Sequence, residues 1–162
     1  MKLKKFYQLL KYSLATTVLN LTLSATPSQA YDYSPQLQEE VYCLAQNIYF
    51  ESRGEPIQGQ LAVAMVTINR TKHKDYPSTI CGVVNQGCQF SWVCDGKSDK
   101  LPTNSTAGQQ AINLAKQAIT NRDLVDITDG AIFFHADYSK PSWSKKMEKT
   151  IAIGNHIFYR RG

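Results

Sequence analysis

The chain has little that points to metal or membrane. Its 162 residues include three histidines, His73, His135 and His156, and its four cysteines never stand in C-x-x-C spacing, so the usual pattern of a structural zinc site is missing. The apolar run at about 14–23 falls short of the ~20 residues that cross a bilayer. Neither an internal repeat nor a low-complexity tract occurs, and the length suits one domain, since domains run to ~100–200 residues. Acidic residues are missing from the first thirty positions, where Lys2, Lys4, Lys5 and Lys11 carry the charge.

A positive start, a short apolar stretch and small residues at Ser28-Gln29-Ala30 read as a secretory signal peptide over 1–30, cleaved after Ala30. An uncleaved anchor is the rival reading, and both place residues 31–162 outside the cytoplasm, in the periplasm or secreted. Without the first thirty residues the charge is 14 − 13 = +1, because they hold four of the eighteen basic residues and none of the thirteen acidic ones. The high overall pI therefore belongs largely to the discarded peptide, and a nucleic-acid partner is not expected.

Cys43, Cys81, Cys88 and Cys94 fit two disulfides in an oxidising compartment, with three pairings possible. The short separation of Cys88 and Cys94 favours joining them across a loop, which leaves Cys43 with Cys81.

Ser34-Pro35 opens the first strong helix, with Ser34 as N-cap, Pro35 at the first position, and Glu39 and Glu40 near the positive end of the dipole. Leu37, Val41, Leu44, Ala45 and Ile48 recur at helical spacing, and the same period carries Glu51 onto the core-facing stripe. Arg53-Gly54-Glu55-Pro56 is expected to end the helix, with Gly54 supplying the termination. A second helix over 58–72 is apolar nearly all round, the mark of a central buried helix. A helical turn at 80–85 leads into a cysteine-bearing polar and aromatic loop at 87–102, and an amphipathic helix follows over 106–121. Short aromatic and β-branched runs at 131–135, 150–153 and 156–159 predict a small antiparallel sheet. The fold class is α+β: a mostly helical domain with a small antiparallel sheet in its C-terminal third.

Glu51 is the position that asks for an explanation. A carboxyl on the apolar side of a helix end loses hydration, which raises its pKa and lets it donate a proton near neutrality. The competing reading is a structural salt bridge to Arg53 or Arg70, and position alone does not separate the two. No partner carboxylate is marked as clearly: Glu55 follows a glycine turn, and Asp95, Asp99, Asp126, Asp129 and Asp137 lie in turn-like contexts. An inverting or retaining glycosidase needs such a partner.

The runs Leu44-Ala45-Gln46-Asn47-Ile48-Tyr49-Phe50-Glu51-Ser52-Arg53-Gly54-Glu55-Pro56, Gly59-Gln60-Leu61-Ala62-Val63-Ala64 and Asn69-Arg70 resemble the cell wall hydrolases related to the spore-cortex-lytic enzymes of the SleB/CwlJ type. The likeness continues through Tyr76-Pro77, Cys81-Gly82-Val83-Val84, Gln89-Phe90-Ser91-Trp92, the strand 130–135, Pro141-Ser142-Trp143 and Gly154-Asn155-His156-Ile157-Phe158-Tyr159. The resemblance implies a lysozyme-like or lytic-transglycosylase-like domain that cuts the β-1,4 bond between N-acetylmuramic acid and N-acetylglucosamine in peptidoglycan glycan strands, with Glu51 as the acid. It carries no implication of spore germination here.

Tyr49, Gln89, Phe90, Ser91 and His135 are the expected substrate contacts: an amide for an N-acetyl group, aromatic rings for sugar faces, and a strand-end histidine facing the cleft. Trp92 and Trp143 read equally well as sugar platforms or core aromatics. The enzyme is expected to act as a monomer, without cofactor or metal ion. An amidase using zinc, or a non-catalytic peptidoglycan-binding module, are the rival functions.

Overall fold

The computed structural model describes residues 34–162; the expected signal peptide, residues 1–30, and its cleavage site lie outside the described residues. Helix α1 (Pro35–Ser52) starts as its sequence requires, with the Ser34 hydroxyl accepting from the Leu37 N–H at 3.2 Å and proline in the first turn. Its far end departs from expectation. Gly54 does not enter the left-handed region, and α1 closes through the Glu55 N–H donating to the Ser52 carbonyl at 2.8 Å, just before Pro56. Helix α2 (Ile57–Thr71) follows at once, and the Gln60 side-chain amide donates to the Glu55 carbonyl at 2.9 Å across the junction.

The apolar surround of α2 has the reason expected of it, because two hydrophobic clusters meet on this helix, with a third between α1 and α3. Val41, Leu44, Ala45 and Ile48 of α1 pack with Ala64 of α2 and with Leu101, Ala111, Leu114 and Ala115, the last three from α4 (Thr106–Thr120). Ala62, Val63 and Val66 pack against Ala131 and Phe158 beneath the sheet. Cys43, Val83, Val84, Phe90 and Trp92 form the third cluster, in which α3 (Ile80–Val84) and the following loop close on α1. Burying such side chains is worth roughly 25 cal/mol per Å2 of apolar surface, the main stabilising term in a domain this size.

Two covalent ties reinforce the third cluster. Cys43 is joined to Cys81, linking α1 to α3, and Cys88 to Cys94 across the loop. Glu40 serves α3 rather than its own helix: its carboxylate accepts from the Ile80 N–H at 2.7 Å and the Cys81 N–H at 3.2 Å. A carboxylate on the exposed donors of a helix start is favourable, and here the start belongs to a neighbour.

The sheet contains β1 (Phe133–Ala136), β2 (Glu148–Ile153) and β3 (His156–Arg160), antiparallel, in the order β1-β3-β2. Phe133 stands opposite Tyr159 and His135 opposite Ile157, so alternate residues divide between α2 and the outer face. The first strand begins two residues later than its sequence suggests, although Ile132 still donates its N–H to the Tyr159 carbonyl at 2.9 Å. A register shift between Lys149 and Ile151 leaves Thr150 without a partner in β3. Between β1 and β2 a 3-10 turn, Ser142–Lys146, brings Trp143 over the outer face.

Candidate active site

Glu51 stands in the last turn of α1, half-buried, so that part of its side chain still reaches the surface. It makes no hydrogen bond and no ion pair within 4.0 Å with any described residue. Burial pushes its pKa from 4.5 up to about 7, opposed by the positive charge of Arg70. The C-terminal end of a helix, where the carbonyl dipoles point outward, also disfavours a negative charge. A carboxyl of this kind keeps its proton close to neutral pH and still exchanges it readily, which is what a general acid requires.

The salt-bridge reading does not hold for either arginine. Arg53 folds back on its own helix, with its guanidinium 4.9 Å from the Tyr49 ring centre and Nη1 donating to the Tyr49 carbonyl at 3.4 Å. Arg70 acts on Glu51 through charge, but from beyond ion-pair distance.

The floor beneath Glu51 is polar and fully paired. One turn earlier on α1, Asn47 is 0% exposed; its amide donates to the Thr67 hydroxyl at 3.0 Å, its carbonyl oxygen accepts from the Trp92 indole N–H at 3.3 Å, and Thr67 donates in turn to the Val63 carbonyl at 3.2 Å. Trp92 also stacks on Phe50 at 4.7 Å. The α1 end is therefore held by a buried amide and an aromatic stack, and Trp92 belongs to the core. Sequence reasoning passes over Asn47 and Thr67, although each is a polar residue on an otherwise apolar face, and that is the signal that finds them.

The loop after α3 splits its residues by side. Gln89 and Ser91 are exposed. Phe90 is 2% exposed, with the Arg70 guanidinium 5.1 Å from its ring centre, so its ring carries Arg70 and is closed to a sugar. This corrects the expectation of Phe90 as a substrate contact: an apolar ring between two polar neighbours turns inward to lose its contact with water. Tyr49 remains half-buried, edge-on to Phe50 at 5.1 Å. Further on, the Gln46 amide donates to the Asp99 carbonyl at 2.7 Å and the Leu101 N–H donates to the Tyr42 hydroxyl at 3.3 Å, which ties the loop along α1.

His135 is half-buried among rings, stacked on Tyr159 at 5.2 Å and edge-on to Trp143 at 5.6 Å. Its Nδ1 lies 2.8 Å from the Ala136 carbonyl, which only accepts, so Nδ1 carries the proton and Nε2 accepts from the Tyr159 hydroxyl at 3.0 Å. Trp143 makes further contacts with Phe133 and Tyr159, each at 5.5 Å. The other histidines are engaged separately: His73 near Asp75 at 3.9 Å, and His156 buried against Phe134 and Phe158. Burial lowers the pKa of His156, with Glu55 and Asp137 acting the other way. Among the described residues no three His, Cys, Asp or Glu side chains gather as a metal-holding group.

Glu55, the carboxylate nearest to Glu51 in sequence, is used in the turn between β2 and β3. Its Oε2 accepts from the Asn155 N–H at 2.8 Å and its Oε1 from the Asn155 side-chain amide at 3.1 Å. A hollow of about 350 Å3 lined by Gln38, Val41, Tyr42, Ile112 and Lys116 contains no carboxylate. Its nearest α1 residue, Tyr42, is nine residues from Glu51, about 13 Å at 1.5 Å per residue.

Fold and site together define a small α+β enzyme domain with a proton-holding carboxyl at the end of its first helix. The chain belongs to the cell wall hydrolase family, whose model matches residues 54–159 and so begins three residues past Glu51. It is 33% identical over 121 residues to the spore cortex-lytic enzyme of Bacillus cereus, covering 75% of this chain and 44% of that one. For the spore cortex-lytic enzyme of Bacillus subtilis the identity is 32% over 119 residues, with 74% and 37% covered. The chain thus spans less than half the length of these curated relatives. Among solved structures, the catalytic domain of the germination-specific lytic transglycosylase SleB from Bacillus anthracis matches with a TM-score of 0.65 and 30% identity, covering 80% of this chain and 98% of that one. The catalytic domain of Bacillus cereus SleB matches with a TM-score of 0.61 and 31% identity, covering 76% and 91%.

Proposed function

We propose that this protein cuts peptidoglycan glycan strands at the β-1,4 bond between N-acetylmuramic acid and N-acetylglucosamine, as a lytic transglycosylase with Glu51 as its one acid and base. The observation that carries this reading is the Glu51 carboxyl itself, which is unbonded, half-buried and holds its proton up to about pH 7. In the first step Glu51 gives its proton to the glycosidic oxygen as the C1–O bond breaks. The muramic acid 6-hydroxyl then attacks C1 and returns its proton to the Glu51 carboxylate, which closes a 1,6-anhydro ring and consumes no water. The engagement of Glu55 with Asn155 supports a route that needs no second carboxylate.

Tyr49, exposed Gln89 and Ser91, and half-buried His135 are the proposed sugar contacts, with Phe90 acting through Arg70 from below. We place the working enzyme outside the cytoplasm, as a monomer released by cleavage after Ala30. Among the described residues no helix is long and apolar enough to cross a membrane.

Glu51→Gln keeps the shape of the side chain and removes its acid. The variant is expected to retain the wild-type circular dichroism spectrum while releasing no soluble muropeptides from purified sacculi. Undiminished release by this variant would remove Glu51 from the reaction. Mass spectrometry of the wild-type products is expected to find anhydro-ended fragments; purely hydrated ends would turn the reading to hydrolysis.

A further inference from the structure

Arg70 is a buried cation that no carboxylate pairs within ion-pair distance among the described residues. It lies near the end of α2, 5% exposed, and its Nε donates to the Ile132 carbonyl at 2.8 Å. Its guanidinium sits between two rings, 5.2 Å from the centre of Tyr76 and 5.1 Å from that of Phe90. Nη1 is buried with no hydrogen-bond partner, and none of the ion pairs among the described residues includes Arg70. Leaving a guanidinium dry and unpaired is costly, and a purely structural role for this side chain is met by an apolar residue of similar volume.

The two helices that carry Arg70 and Glu51 are fixed to one another close by. Asn47 and Thr67, bonded at 3.0 Å, each stand one turn before Glu51 and Arg70 respectively. The rings of Tyr76 and Phe90 flank the guanidinium and the Ile132 carbonyl accepts from its Nε, contacts that hold the cation short of ion-pair distance from the carboxyl. Burial lowers the pKa of Arg70, with Tyr76 and then the Glu51 carboxylate acting the other way.

We propose that Arg70 is a positioning residue for the acid: a fixed, buried cation held short of a salt bridge, so that Glu51 stays protonated before reaction yet its carboxylate meets a waiting positive charge after proton transfer. This rests on the reading of Glu51 as the acid and adds the group that balances it. At bonding distance the guanidinium would strip the proton from Glu51 and abolish the acid. With no cation at all, burial alone would make the carboxylate too basic to release its proton. An arginine braced at intermediate range lowers the cost of the charged state without forming it in advance, as preorganised charge does in other active sites.

The test pairs Arg70→Gln, which is neutral and retains an amide donor, with Arg70→Lys, which retains the charge. Because Arg70 favours the carboxylate, its neutralisation raises the Glu51 midpoint. In Arg70→Gln the 13C-carboxyl titration of Glu51 and the alkaline limb of kcat/KM are expected to move up together by about one pH unit, a tenfold change in proton affinity. The maximal kcat is expected to fall with little change in KM, and Arg70→Lys is expected to restore the midpoint. A folded Arg70→Gln protein whose Glu51 midpoint stays at the wild-type value overturns the proposal.

A measurement on the unaltered protein covers the case in which that variant does not fold. The Arg70 Nε–H resonance is expected to shift with the same midpoint as the Glu51 carboxyl, and an Arg70 resonance unchanged from pH 5 to 9 also overturns the proposal. These titrations need no substrate. Wild-type protein inert on sacculi would sink the functional reading while leaving the coupling of the two residues measurable.

Discussion

At the scale of the residue, Glu51 trades stability for readiness. A carboxyl whose pKa is 4.5 when unfolded and about 7 when folded binds its proton more tightly in the native state. Its ionisation therefore destabilises the fold as pH rises from about 4.5, and the full penalty, about 3 kcal/mol, is present above pH 7. Glu51→Gln removes that penalty. The variant should melt close to wild type at pH 4 and several degrees above it at pH 8, and a melting difference that stays constant across this range would contradict the burial of the carboxyl. With Glu51 in its proposed role as the acid, activity on sacculi should decline through about pH 7 on the alkaline side as the acid form is lost. The half-buried place of Glu51 was legible in the sequence because the helical period of α1 runs straight through it, whereas its role was read from the family resemblance. Phe90 was misread because a loop has no period to say which side chains turn inward.

Among the elements, the helices follow their sequence patterns closely, since capping, proline position and apolar spacing act locally. What escaped was contact between distant segments. Glu40 caps α3, and Glu55 holds the β2–β3 turn, although the sequence sets Glu40 at the dipole of its own helix and Glu55 after a glycine turn. Gly154 in that turn has a φ of +58°, and a Cβ there would lie 2.0 Å from Glu55 Oε2. Gly154→Ala must therefore either displace Glu55 from Asn155 or strain the backbone, and should cost roughly 1–3 kcal/mol in chemical denaturation. In a Glu55→Ala background the same substitution should cost less, leaving the backbone strain alone; equal costs in both backgrounds would show that the latch carries no energy.

For the molecule as a whole, the two disulfides close loops of unequal reach. Loop-closure entropy assigns about 4 kcal/mol to Cys43–Cys81, which spans 38 residues, and about 2 kcal/mol to Cys88–Cys94, which spans 6. Paired serine substitutions should lower the melting temperature in that order, and the reverse order would mean that the loop staple protects more of the fold than its span suggests. The α+β class and the element order were readable from patterning. The dependence of Glu51 on Asn47, Thr67, Trp92 and Arg70 was not, because it arises where three segments converge. The Glu55–Asn155 latch joins positions 100 residues apart, across most of the described residues 34–162. The turn that follows Glu51 thus stays unfastened until the final hairpin has been synthesised and docked. A chain interrupted before that hairpin keeps the glutamate and the buried amide beneath it, but leaves the segment between the first two helices untied.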